Sequence, residues 1–270
     1  MHLRIVHRTA YTYDEPVKYS AQALRLTPRR EAQQRVLHWT IHAPGRRTEQ
    51  MDAHGNVTHL MTLEEPHRQI EIVVSGCVEM AGEVALTPHE GALSPLAYLA
   101  STPLTAPDDN IRELAQFYMS GAAPLRQRLH ALAGGVQERV QYQKGSTSVE
   151  DSAAAALARG KGVCQDQAHV FIACCRAAGI PARYVSGYLY SGDAQDMDTA
   201  ASHAWADVWL EDVKAWLGLD VTHRELTGVQ HCRLAVGRDY LDAAPVRGVR
   251  RGGGREIMDV DVCVSKAADQ

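Results

Sequence analysis

The sequence lacks the paired cysteines that mark a zinc site or a disulfide framework. Its six cysteines include no Cys-x-x-Cys pair, whereas the ligands of a structural zinc ion are clustered. Cys174 and Cys175 are neighbours, and adjacent cysteines do not easily close an unstrained disulfide. We therefore predict small core residues at these two positions, and we expect no metal and no cofactor.

The sequence also lacks a long apolar run and a strong excess of charge. No segment is apolar over the length that a bilayer-spanning helix needs, and charge interrupts Met1–Arg8, so we predict neither a signal peptide nor a membrane partner. The 28 Lys and Arg residues face 32 Asp and Glu residues, which gives a formal net charge of -4. This balance does not favour a nucleic-acid partner. We expect a cytoplasmic protein with free thiols.

The sequence contains two regions of different character. Residues 1 to about 85 hold short β-branched segments between turn signals, and several alternate apolar and polar residues as antiparallel strands do. From about residue 90 helical spacing dominates, and further strand-like segments follow. We predict an α+β fold, with an N-terminal all-β, sandwich-like domain over residues 1–88 and a second domain with a C-terminal strand over residues 89–270.

Individual elements follow from the same patterns. Helices are predicted over residues 109–118, 124–140, 152–158 and 164–178, with an interruption of the second helix at Gly134 and Gly135. Strands are predicted over residues 182–189, 202–210, 215–221 and 257–264. Loops are predicted for residues 246–254, which are rich in Gly and Arg, and for the acidic residues 193–198.

The most informative segment is Gly160–Asp166, in which Cys164 follows a glycine-rich turn and opens an apolar helical pattern. A thiolate is a far better nucleophile than a thiol, and free cysteine is mostly a thiol at neutral pH. The unpaired N–H groups and the dipole of a helix N-terminus favour negative charge. Cys164 is therefore a candidate nucleophile, and its own N–H is a candidate oxyanion donor. A buried structural cysteine is the alternative, against which the flanking glycines argue.

A base and an orienting acid are predicted on the strands that follow. In residues 202–210, His203 shares one face of the strand with Trp205 and Trp209. If the next strand pairs antiparallel, Asp220 can lie beside His203, fix its tautomer and stabilise its charged form. We expect the two tryptophans to pack in the core rather than contact substrate.

Two rival assignments use residues of the helix itself. His169 is near Cys164 in sequence, but five positions along a helix is about 140° around its axis, so His169 faces away. Asp166 is a rival acid, which we interpret as a first-turn residue that complements the dipole or bonds locally. The remaining histidines are expected to be surface or structural residues.

At these residues the chain resembles the transglutaminase-like superfamily, and especially its bacterial branch with an N-terminal β-domain. The family pattern Gly-x-Cys-x-Asp/Glu is matched by Gly162–Asp166, and the family's His-Ala-Trp segment is His203–Trp205. Further similar segments, covering nearly the whole chain, lie at residues 7–13, 24–29, 52–56, 176–188 and 237–245. Two positions depart from the family: Val221 stands where proline usually follows the aspartate, and Ala215 stands where glycine usually precedes the tryptophan. Neither departure removes a catalytic group.

The resemblance implies a papain-like catalytic domain over residues 89–270, with Cys164 as nucleophile, His203 as general base and acid, and Asp220 as orienting carboxylate. It implies acyl transfer from a peptide bond or a glutamine side chain through a thioester, without a cofactor. Our leading hypothesis is a cysteine peptidase or amidohydrolase that uses water as acceptor and takes a peptide or protein substrate. A transglutaminase that uses an amine acceptor is the second hypothesis, and a non-catalytic binding module is the third.

Overall fold

A computed structural model describes residues 1–82, 86–89, 93–146, 148–192 and 202–267. The acidic loop predicted at residues 193–198 lies outside the described residues. Among the described ones, no helix has both the length and the apolar character needed to cross a membrane. The cytoplasmic location stays a prediction.

The described residues form strands and helices in an α+β arrangement, as predicted. In chain order the elements are β1 (His2–Leu24), β2 (Gln34–His42), β3 (Arg46–Met51), β4 (Val57–Leu63), β5 (His67–Met80), β6 (Leu86–Pro88), a 3-10 helix (Pro95–Leu99), α1 (Asp109–Met119), α2 (Leu125–Arg139), β7 (Gln141–Tyr142), α3 (Ala153–Arg159), β8 (Lys161–Gly162), α4 (Cys164–Ala177), β9 (Ala182–Leu189), β10 (Ser202–Leu210), β11 (Ala215–Asp220), β12 (Glu225–Leu226), β13 (His231–Gly237), α5 (Tyr240–Ala243), β14 (Val246–Gly252) and β15 (Glu256–Lys266).

The first sheet is built around β1, which is long and bent. Its first half lies between β5 and β15, and its second half lies between β4 and β14. Its pairing with β5 shifts register between Thr12 and Val17, so the Asp14–Pro16 segment bends the strand instead of ending it. Side chains from both halves, such as Tyr11 and Leu24, meet in one core. The predicted β-rich N-terminal region is confirmed.

The predicted loop at residues 246–254 is wrong, because most of it forms β14. Its glycine and arginine content indicated a loop, but β1 offers an unpaired edge, and the arginines of β14 extend into solvent. Gly248 lies so close to β1 that an added Cβ would come within 2.3 Å of the Ala21 carbonyl oxygen. The predicted domain boundary between residues 88 and 89 stays a prediction. The two sheets do not divide at this boundary, since β14 and β15 join the first sheet.

The second sheet has the strand order β12-β11-β10-β9-β13, with β6 beside β11. All of its pairs are antiparallel. Residues 204, 206, 208 and 210 of β10 belong to the core that contains α4, whose central residues 170–175 are fully buried. The alternate residues of β10, which include His203 and Trp205, face the other way. The predicted strands of this sheet and the helix at Cys164 are confirmed.

Buried ion pairs join the segment between β1 and β2 to the second sheet. Arg29 and Glu31, on the segment between β1 and β2, pair with each other at 2.8 Å. Glu31 also lies 3.2 Å from Arg233 on β13, and Arg233 pairs in turn with Asp207 on β10. Asp207 also accepts a hydrogen bond from Arg183 on β9 at 2.9 Å. Burial would raise the pKa of Asp207, but the two arginines hold it below its usual value.

The predicted interruption of α2 at Gly134 and Gly135 is wrong, because the helix runs through both residues. The two glycines have different surroundings. A Cβ at Gly135 would come within 2.4 Å of the Tyr118 ring, whereas a Cβ at Gly134 would find its nearest atom at 3.7 Å, in the Arg224 side chain. The absence of a side chain at Gly135 therefore permits close packing of α1 on α2. At Gly134 there is space for a methyl group.

Alanine substitutions at these two positions should have different effects on stability. Gly134→Ala is expected to raise the free energy of unfolding by up to about 1 kcal/mol, because alanine favours the helix. Gly135→Ala should be less stable than Gly134→Ala by about 1–3 kcal/mol, because its methyl group overlaps Tyr118. Urea unfolding of the two variants would measure this difference. Equal stabilities would show that Tyr118 moves aside without cost.

Candidate active site

Cys164 is the first residue of α4, and tight packing of the preceding turn places it there. Gly160 ends α3 with a φ of +72°, a conformation that glycine adopts most readily. A Cβ at Gly162 would come within 2.6 Å of the Asp166 side chain, so only glycine fits this close approach. Asp166 accepts a hydrogen bond from the Val163 N–H at 2.8 Å, which caps the helix start. The partly exposed Cys164 therefore lies where unpaired helix N–H groups favour negative charge.

His203 connects this cysteine to a buried carboxylate. Its Nε2 lies 2.7 Å from Asp220 Oδ2, and both side chains are buried. The Cys164 side chain also interacts with His203 and raises its pKa. Because Asp220 occupies Nε2, Nδ1 is the ring nitrogen left for the cysteine. The structure thus brings together Cys164, His203 and Asp220, the three residues singled out in the sequence.

The electrostatics of the three groups favour a charged imidazole between two acidic side chains. Burial lowers the pKa of His203, but the hydrogen bonds with Asp220 and Cys164, together with their charges, outweigh it and raise the pKa to about 10. Burial would raise the pKa of the Asp220 carboxyl, yet hydrogen bonds with His203, His223 and His231 hold it well below its usual range. An ionised Asp220 can therefore stabilise an imidazolium at His203.

His223 and His231 also contact Asp220, and the sequence reasoning missed both. His223 Nδ1 and His231 Nε2 lie 2.8 Å and 3.1 Å from Asp220 Oδ2. The backbone N–H of His223 donates to Asp220 Oδ1 at 3.1 Å. His223 follows Asp220 by three residues, a spacing at which side chains often meet across a turn. That spacing could have indicated the contact from the sequence. No local sequence pattern marks His231. Two strands separate β13 from β11 in the sheet, and the His231 side chain reaches Asp220 because the sheet is curled.

The rival residues have other partners. His169 is buried and accepts a hydrogen bond from the Tyr240 N–H through Nε2 at 3.0 Å. Asp166 caps the helix, as interpreted from the sequence. Trp205 is fully buried between Val185 and Val236, and Trp209 packs on Trp216, so both tryptophans are core residues.

Comparison with known families identifies the fold around these residues. Residues 112–221, which include Cys164, His203 and Asp220, match the family model of the transglutaminase-like superfamily. Residues 3–79 match the model of the bacterial transglutaminase-like N-terminal region. The chain belongs to the transglutaminase-like superfamily.

Relatives of this superfamily member extend over its whole length. An uncharacterized protein of Mycobacterium tuberculosis (strain ATCC 25618 / H37Rv) is 34% identical, and the alignment covers 97% of this chain and 91% of that protein. An uncharacterized protein of Mycobacterium leprae (strain TN) is 31% identical over 98% of this chain and 99% of its own length. The crystal structure of a candidate cysteine protease from Cytophaga hutchinsonii shares the fold, with a TM-score of 0.79 and 21% identity over 100% of this chain and 92% of that one.

Two overlapping sets of side chains in the described part of this transglutaminase-like chain have the donor atoms for a metal ion. They are His203, Asp220 and His223, and Asp220, Glu225 and His231. In both sets a ring nitrogen already hydrogen-bonds to Asp220 at 2.7–3.1 Å. A metal ion could bind only by displacing the protons of these hydrogen bonds. The arrangement therefore fits a hydrogen-bonded cluster better than a metal site.

The raised pKa of His203 should make the stability of this superfamily member depend on pH. Folding raises the pKa from 6.5 to about 10, so protonation of His203 stabilises the fold fully below pH 6.5 and ceases to do so as pH rises through about 10. The difference in unfolding free energy between wild type and His203→Gln should therefore shrink over that interval. Urea unfolding at several pH values would measure it, and a difference that stays constant would contradict the assigned pKa.

Proposed function

We propose that this protein is a thiol-dependent acyl-transfer enzyme, most simply a cysteine peptidase or amidohydrolase that acts on a peptide or protein. The observation that carries the proposal is the position of His203, which is hydrogen-bonded to the buried Asp220 and whose pKa is raised by Asp220 and Cys164 together. Superfamily membership supports an amide of a peptide or protein as the acyl donor. The catalytic roles of the three residues belong to this proposal.

The first half of the proposed reaction forms a thioester. The Cys164 thiolate attacks the carbonyl carbon of the amide, and the resulting oxyanion accepts a hydrogen bond from the Cys164 N–H at the start of α4. The tetrahedral intermediate collapses as His203 gives its proton to the leaving amine, which breaks the carbon–nitrogen bond. Asp220 keeps the imidazole oriented and stabilises its charged form.

The second half depends on the acyl acceptor. In hydrolysis, neutral His203 takes a proton from a water molecule that attacks the thioester, and the carbon–sulfur bond breaks. The carboxylic acid is released, and the Cys164 thiolate beside protonated His203 is restored. An amine in place of water forms a new amide, which would make the protein a transglutaminase. Both outcomes use the same three side chains, so the acceptor has to be found by experiment.

The reactivity of Cys164 is the first test, because it needs no knowledge of the substrate. Iodoacetamide should alkylate Cys164 faster near neutral pH than an ordinary exposed thiol, because the charged His203 stabilises the thiolate. Mass mapping across pH would measure this, with exposed Cys263 of β15 as reference thiol in the same molecule. His203→Ala should remove the difference. Equal profiles for Cys164 and Cys263 in wild type would refute the proposal and favour a binding module.

Activity assays then separate the acyl acceptors. On a substrate found by screening peptides and glutamine-containing proteins, Cys164→Ala should lower turnover by roughly 10⁴-fold or more, because the covalent route is lost. Cys263→Ala is the matched control and should leave turnover unchanged. Release of a new carboxyl group indicates a hydrolase, and incorporation of a labelled amine that depends on Cys164 indicates a transglutaminase. Turnover that survives Cys164→Ala would exclude both.

A further inference from the structure

Asp220 accepts hydrogen bonds from two histidines besides His203, and these two differ in exposure. The His223 side chain is 42% exposed, whereas that of His231 is 1% exposed. Both ring nitrogens point at the same oxygen, Asp220 Oδ2. The exposed ring can exchange this bond for water, but the buried ring has no such alternative. His231 is therefore the more constrained of the two partners.

The tautomer of His231 is set by its other ring nitrogen. The backbone N–H of Gly228 lies 3.2 Å from His231 Nδ1. A backbone N–H can only donate, so Nδ1 must present its lone pair, and the proton of the neutral ring must be on Nε2. Nε2–H then points at Asp220 Oδ2. His231 is thus a neutral donor to the carboxylate, whichever tautomers its neighbours adopt.

The surroundings of His231 hold the ring in place. Its ring packs edge-on against Trp205, with centroids 5.3 Å apart and an interplanar angle of 79°. The ionisable groups around the ring are Asp220 on β11, Glu225 on β12 at 3.9 Å from Nε2, and His203 on β10 with a ring centroid 6.3 Å away. Trp205 also belongs to β10 and lies two residues from His203. The ring therefore hydrogen-bonds to the carboxylate and lies beside the proposed base.

We propose that His231 is a positioning residue of the active site, whose Nε2–H holds the Asp220 carboxylate towards His203. This inference rests on the proposed thiol chemistry. Without His231, Asp220 Oδ2 keeps only His203 and the exposed His223, while the His223 N–H still holds Oδ1. The carboxylate is then less firmly held against rotation about its Cβ–Cγ bond. The imidazolium of His203 then has a less firmly fixed counter-charge, and it stabilises the Cys164 thiolate less.

The tautomer can be tested in the wild-type protein without any substrate. Long-range ¹H–¹⁵N spectra distinguish the two neutral tautomers and the charged form of each histidine, and the His231→Gln spectrum identifies the signal of His231. We expect a protonated Nε2 and an unprotonated Nδ1 at neutral pH. A proton on Nδ1 would overturn the proposal, because that tautomer has no Nε2–H to donate to Asp220.

The functional consequence can be tested by alkylation of Cys164 in three variants. His231→Leu should slow labelling near neutral pH by roughly ten- to a hundredfold and move the labelling curve to higher pH, because one hydrogen bond to a charged group is lost. His231→Gln should restore most of the rate, since its amide can accept from Gly228 and donate to Asp220. His7→Leu is the control for loss of a buried histidine, because His7 bonds only to Tyr188 and Thr9 in the described hydrogen bonds.

The outcomes separate this inference from the proposed function. If Cys164 labels rapidly in wild type and equally rapidly in folded His231→Leu, the positioning role is wrong and the proposed function stands. If His231→Gln is as slow as His231→Leu while folded, the role is also wrong. If wild-type Cys164 labels like Cys263, both proposals fail together. Should His231→Leu not fold, the tautomer and the His231→Gln profile decide.

Discussion

The buried negative charge of Asp220 is the constraint on which the centre of the structure depends. An ionised carboxylate without exposed surface is unfavourable unless hydrogen-bond donors surround it. Here the donors are three imidazole rings and one backbone N–H. They come from β10, from the turn after β11 and from the start of β13. The second sheet must curl for these elements to meet. The hydrogen bonds that stabilise Asp220 therefore also stabilise the curvature of the sheet.

The residues predicted from the sequence were those with a local pattern. A glycine-rich turn before an apolar helix marks Cys164, and the alternation of residues 202–210 places His203 on the face opposite the helix-facing alanines. His231 has no such mark, because its contact with Asp220 depends on the curl of a whole sheet. The β14 strand was missed for a related reason: its glycines and arginines have low intrinsic preference for a strand, and the edge of β1 overrides that preference.

Buried ion pairs connect the N-terminal region to the strand that carries His203. Arg233 bridges Glu31 of the N-terminal segment and Asp207 of β10, and its guanidinium lies 5.8 Å from the centre of the Trp205 ring. Trp205 in turn packs beside His203 and His231. Removal of one partner from such a buried pair leaves an uncompensated charge, which costs roughly 3–5 kcal/mol. The N-terminal region therefore supports the strand that carries the proposed base.

The strand β1 is paired on one side with β4 and β5, which lie within the first 80 residues, and on the other with β14 and β15, from the far end of the chain. During synthesis the first side can pair early, whereas the second side must wait for residues 246–266. At bacterial or eukaryotic rates of translation the delay is on the order of ten seconds. For that time an unpaired edge is available to other nascent chains. The arrangement predisposes the nascent chain to pair its β1 edge with strands of other chains. The amount of correctly folded protein then depends on how promptly β14 and β15 pair with β1.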